Sequence, residues 1–150
     1  MQQEIRTYYV KLILPAVLCC VVLFVLERLN IPVFLGEVSK AGTVFFIILS
    51  ALFSIVLPLW YRIFFIRKVK GQKQVSVEQF VKFEKTFLLI AELALYVVLI
   101  AYIFKAPKMQ MVFIALFGFY AAYYYFPSHK RIHHEKKLFR VKGEGSKVKG

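Results

Sequence analysis

The sequence predicts an all-α integral membrane protein, in which four transmembrane helices form two antiparallel hairpins and the third helix extends into the cytoplasm. Three observations carry this expectation: four long apolar blocks, almost no formal charge inside them, and Lys and Arg crowded into every second connection. Of the 150 residues, 60% are hydrophobic, against roughly 45–50% apolar residues in soluble domains. Four such blocks leave too little polar chain to enclose them, so lipid must cover what a soluble core would otherwise bury.

The expected spans are about 8–29, 41–63, 86–104 and 109–126, each near the ~20 residues that cross a ~30 Å hydrocarbon layer as a helix. Helices are required because an open strand would leave amides and carbonyls unsatisfied in lipid. The first span carries Lys11 near one end and Glu27 and Arg28 near the other, where long side chains reach the interface. The second has no charge until Arg62, the third holds Glu92, and the fourth has none. Between the second and third, Gly71 breaks the chain, and Ser76-Val77-Glu78-Gln79 has the form of a capping box. One helix should therefore start near Val77 and run into the third span, with Val77, Phe80, Val81 and Phe87 toward the protein or the interface. Only Lys105 to Lys108 separate the third and fourth blocks, which makes them antiparallel neighbours. Residues 1–134 form the expected transmembrane domain. The remainder, 135–150, is read as a basic cytoplasmic tail that is disordered toward its end.

Charge sets the expected orientation. The N-terminal segment, the central loop with its helix ends, and the C-terminal tail hold 17 Lys and Arg, whereas the two other connections hold 4. The positive-inside rule then places both termini and the central loop in the cytoplasm. Tyr8, Tyr9, Trp60, Tyr61 and Tyr123 to Tyr125 fall at the same boundaries, at the headgroup level such rings favour. A net charge of +13 would suggest nucleic acid in a soluble domain. Here the charges lie between apolar blocks and no RNA- or DNA-binding motif is present, so anionic lipid on the cytoplasmic face is the expected partner and nucleic acid is not. Cys19 and Cys20 are adjacent on one helix and do not reach each other as a disulfide. No small-x-small cleavage site follows the first block, so a retained first helix and a cell inner (plasma) membrane are expected.

Glu92 is the only carboxylate well inside a span, about 4.5 Å from its middle at 1.5 Å per residue. An ionisable group at that depth is a candidate site by default, and equally a fastening between helices. A turn centred between Lys105 and Lys108 makes residues whose numbers sum to about 213 lie level. Tyr120 across the hairpin, and Tyr96 one turn along, then become its expected hydrogen-bond partners. Small residues let membrane helices approach closely, and Ala91 and Ala94 on the third helix face Ala115, Gly118 and Ala122 on the fourth. Pro58 cannot donate to the carbonyl of Ser54, which favours a kink. Arg62, Arg67, Lys68, Lys130, Arg131, Lys136 and Lys137 are the expected contacts to lipid headgroups.

His129-x-x-x-His133-His134 is similar in spacing to one histidine box of membrane desaturases and hydroxylases. Those di-iron enzymes need several boxes and this chain has three His in all, so neither a metal nor any other cofactor is expected. No Ser-His-Asp set, Walker loop or glycine-rich nucleotide turn is present, and no catalytic residue is assigned. The expected function is that of a non-catalytic accessory or assembly subunit that binds a membrane-protein partner, or a second copy of itself, together with anionic lipid. The alternative is a small oligomeric transporter that couples proton or cation movement through Glu92.

Overall fold

In a computed structural model, which describes residues 2–31, 33 and 35–141, the chain is built from helices. We label them α1 (Gln2–Arg28), α2 (Lys40–Val69), α3 (Val77–Ile103), α4 (Lys108–Tyr124) and α5 (His129–Leu138). Helices α1, α2 and α3 are each long and apolar enough to cross a membrane, and α4 joins them if it is taken together with α5, from which it is bent by 73°. The outward faces of α1, α2 and α4 expose Leu14, Leu18, Val21, Phe45, Ile48, Phe113 and Leu116, a surface that only lipid or another apolar partner would cover.

The helices extend beyond the apolar blocks. Helix α1 begins at Gln2 rather than near residue 8, and α2 runs on to Val69. Helix α3 starts where the capping box puts it. The Ser76 hydroxyl accepts the Gln79 amide at 3.2 Å, and the Gln79 side-chain oxygen accepts the Ser76 amide at 3.5 Å. From there α3 becomes the central element, burying Phe80, Leu88, Ala91, Ala94 and Ala101.

Contacts along α3 order the other helices. Glu4 pairs with Lys85, the Tyr96 hydroxyl donates to the Leu12 carbonyl, and the Tyr102 hydroxyl bonds the Glu27 carboxylate, so α1 and α3 rise side by side. Helix α4 descends beside α3. A Cβ on Gly118 would meet Val98, Leu95 and the Ala94 carbonyl, which sets Gly118 level with Leu95. Helix α2 also descends, with the Ser50 hydroxyl donating to the Ile114 carbonyl at 3.2 Å.

Three helices end in the same way without glycine. At α1, Asn30 has φ 56°, its amide bonds the Glu27 carbonyl, and the Ile31 amide bonds that of Leu26. Lys105 (φ 51°) and Arg140 (φ 49°) repeat the pattern at α3 and α5, which is the Schellman arrangement of a left-handed residue closing a helix.

Pro58 sits beside a π-helical turn, Leu52–Val56, inside α2. Proline has no amide to give the Ser54 carbonyl. The Tyr125 hydroxyl, arriving from the end of α4, donates to that carbonyl at 3.0 Å. The irregularity in α2 is thus closed by a side chain from another helix, so its polar group is not stranded.

Candidate functional site

Two places in the fold combine burial with ionisable chemistry. The first is Glu92 on the inner face of α3, among Leu88, Ala91 and Ala94, which are fully buried. Glu92 itself is 1% exposed, and neither carboxylate oxygen has a hydrogen-bond partner among the described residues. A carboxylate so placed is costly when ionised. The two tyrosines expected to serve it are engaged elsewhere. Tyr96 reaches α1 at the Leu12 carbonyl, and Tyr120 is exposed and stacks on Tyr124 with centroids 5.2 Å apart. The nearby hydroxyl of Tyr9 donates to the Ala122 carbonyl at 2.6 Å.

The small residues divide between the face and its edge. Ala91, Ala94 and Gly118 are buried where α3 meets α4. Ala115 and Ala122 are half-buried, because the inward face of α4 is centred on Ile114, Gly118, Ala121 and Tyr125. That set recurs at intervals of four, three and four residues, as one face of a helix must.

The second place is the end of the bundle where α1 begins, α2 gives way to α3, and α5 lies across. Aromatic rings knit these elements together. Phe65 of α2 stacks on Phe83 of α3 at 4.1 Å, Phe139 after α5 meets both edge-on, and Phe87 meets Tyr125 at 5.0 Å. Helix α5 is capped by the Ser128 hydroxyl, which accepts the Arg131 amide at 3.2 Å. Its Ile132 and Glu135 face inward, followed by Phe139 and Val141. The helix therefore runs through the boundary drawn at 134/135, and residues up to 141 join the core. The expectation of disorder toward the C-terminus falls on residues 142–150, outside those described.

Under α5 lie two ion pairs that pattern reading did not anticipate. Arg131 pairs with Glu84, which is 1% exposed, and a nitrogen of its guanidinium donates to the Tyr125 carbonyl at 2.6 Å. Arg62 pairs with Glu135 at 3.1 Å. Both arginines had been expected to meet headgroups alone; each is instead held by a carboxylate from a helix distant in sequence. Arg67, Lys68, Lys130 and Lys137 are exposed, and Lys136 is half-buried. A buried pair is weak support for stability but a strong constraint on geometry, because losing one partner strands the other. Here the pairs fix α5 against α2 and α3.

The His129 and His133 rings lie 6.5 Å apart, and among the described residues no group of three His, Cys, Asp or Glu side chains is placed to hold a metal. Glu84, Glu135, Tyr9 and Tyr125 are the site residues that sequence reasoning missed. The signal for Tyr125 was Pro58, which denies the Ser54 carbonyl its usual amide donor. Compared with known proteins, the chain matches no family model, no curated protein and no solved structure.

Proposed function

We propose that the chain is a four-span protein of the cell inner membrane, with both termini and the loop at Gly71 in the cytoplasm. In this reading it acts as a non-catalytic accessory or assembly subunit, binding anionic lipid and a membrane-protein partner. The observation that carries the reading is the charge difference between the two ends of the bundle. Residues 2–9, 62–85 and 128–141 carry thirteen Lys and Arg and four Glu, whereas residues 27–40 and 102–108 carry four and two. Three of the four carboxylates at the basic end are occupied by Lys85, Arg131 and Arg62, which leaves a folded, cationic layer over the ends of the apolar helices. Each Lys or Arg near an anionic leaflet contributes on the order of 1 kcal/mol, enough in sum to hold that layer at the headgroups.

Two measurements test it. In a background lacking Cys19 and Cys20, single cysteines at Ser39, Ser76 and Ser146 are exposed to an impermeant thiol reagent on intact cells. Label at Ser39 alone is expected, and label at Ser146 would overturn the topology. Purification in mild detergent should bring down a stoichiometric membrane-protein partner; the chain alone, in one copy or several, would count against the accessory role.

Glu92 favours the second reading, a proton- or cation-coupled transporter, because a buried carboxylate without a partner among the described residues is what a proton carrier presents. Glu92→Gln separates the two. A fastening residue tolerates the amide, whereas a proton carrier loses a gradient-driven flux in vesicles while the protein still folds.

A further inference from the structure

Beside the ion pairs, the basic end holds a cavity of about 570 Å³. Its lining combines Arg62, Arg131, His134 and Ser128 with exposed aromatic rings, among them Tyr124 and Phe126. We infer that this cavity is a seat for the phosphodiester headgroup of a single anionic phospholipid, with its acyl chains running along the aromatic rings. The inference rests on the proposed orientation and deepens it, from a diffuse cationic surface to one defined place.

Donors and the surrounding field argue for an anion. Arg62 is paired with Glu135 and Arg131 with Glu84, so these four charges cancel, but the pairs do not use all five donors of each guanidinium. Around them the basic end carries thirteen Lys and Arg against four Glu, a field that favours a phosphodiester over a neutral group. Preorganisation argues for a defined seat rather than a loose encounter. An exposed Lys or Arg gives up rotamer freedom when it binds, but Arg62 and Arg131 are already fixed by Glu135, Glu84 and the Tyr125 carbonyl. Their side chains remain 31% and 18% exposed, and a guanidinium with five donors has some left after these bonds. Position argues for a lipid over a free ion, because the lining includes the exposed rings Tyr123, Tyr124 and Phe126, at the end of a helix whose outward face is apolar.

The test is native mass spectrometry of the full chain in neutral detergent, with phosphatidylglycerol or phosphatidylcholine added at low and high salt. Wild type should keep one phosphatidylglycerol that survives high salt, and keep phosphatidylcholine less. Arg62→Gln should weaken that retention about ten-fold, the equivalent of one charge-assisted hydrogen bond. Glu135→Gln supplies a readout of opposite sign that general damage to the fold would not give, since removing the one carboxylate in the wall should strengthen retention. Lys136→Gln with Lys137→Gln should strip only the salt-sensitive lipids. The seat is overturned if Glu135→Gln leaves retention unchanged or lowers it, or if millimolar inorganic phosphate displaces the lipid, which would make it a phosphate site without lipid. Several salt-sensitive phosphatidylglycerols with no resistant one would remove the seat and leave the broad cationic surface standing. No preference between the two lipids at any salt would remove both.

Discussion

Replacing Tyr125 by Phe keeps the ring against Phe87 and removes only the hydroxyl that donates to Ser54, so it isolates one bond. Bonds between membrane helices average near 0.6 kcal/mol, because groups freed by a mutation usually find another partner. The Ser54 carbonyl has lost its usual alternative, since Pro58 stands where the amide would be. Ser54 is fully buried and Tyr125 nearly so, which keeps lipid and water from substituting. The cost of Tyr125→Phe should therefore lie in the range for a stranded buried acceptor, about 1–3 kcal/mol. In a Pro58→Ala background the carbonyl regains a backbone amide, and the same change should cost under about 1 kcal/mol. The four proteins form a double-mutant cycle, read by reversible unfolding in mild detergent followed by circular dichroism. A coupling of about 1–2 kcal/mol is expected, and equal costs in the two backgrounds would show that Tyr125 and Pro58 do not share the Ser54 carbonyl.

Gly118→Ala places a Cβ 2.6 Å from Val98 Cγ2 and 3.3 Å from Leu95 Cδ2, and a β-branched valine has little freedom to retreat. Overpacking of about 1–3 kcal/mol should outweigh the ~1 kcal/mol that alanine gains over glycine in a helix. In a Val98→Ala background the sign should reverse, and a stabilising Gly118→Ala in otherwise wild-type protein would refute the close approach. Arg140 holds a left-handed conformation, so Arg140→Gly should raise stability by about 0.5–1 kcal/mol while Arg140→Ala does not. Equal melting shifts for the two variants would point to charge rather than backbone strain as the cause.

How much of the molecule was legible depended on whether the relevant physics is local. The apolar blocks were visible because crossing lipid constrains about twenty consecutive residues at once. The start of α3 was visible because a capping box closes within four residues, Ser76 to Gln79. The register of α3 against α4 followed from the shortness of the Lys105–Lys108 turn, and the level pair Gly118 and Leu95 has the sum of 213 that a turn there requires. The helix ends were harder to read, since Asn30, Lys105 and Arg140 occupy positions where glycine is the usual marker.

The candidate site was least legible where partners are far apart in sequence. Glu92 could be seen as buried from its place in a charge-free block, but Tyr96 lies on a side of α3 that α1 covers, and no pattern within α3 says which helix packs there. Arg62 and Arg131 looked like snorkelling residues because each stands at the edge of an apolar stretch. Their carboxylates are 73 and 47 residues away, and that separation is invisible to a window. Helix α5 was hidden for a related reason. Half its residues are charged and three more are His, so composition resembles a solvated tail, yet two of those charges point inward and are neutralised there, and Ile132 and Phe139 supply the apolar anchors. Neutralisation within the fold thus changes what the basic end presents to its surroundings. Each carboxylate consumed in a pair takes one Lys or Arg with it, so the net charge of the basic end is the same as a count of residues gives, and what the fold decides is which cations are left to face outward.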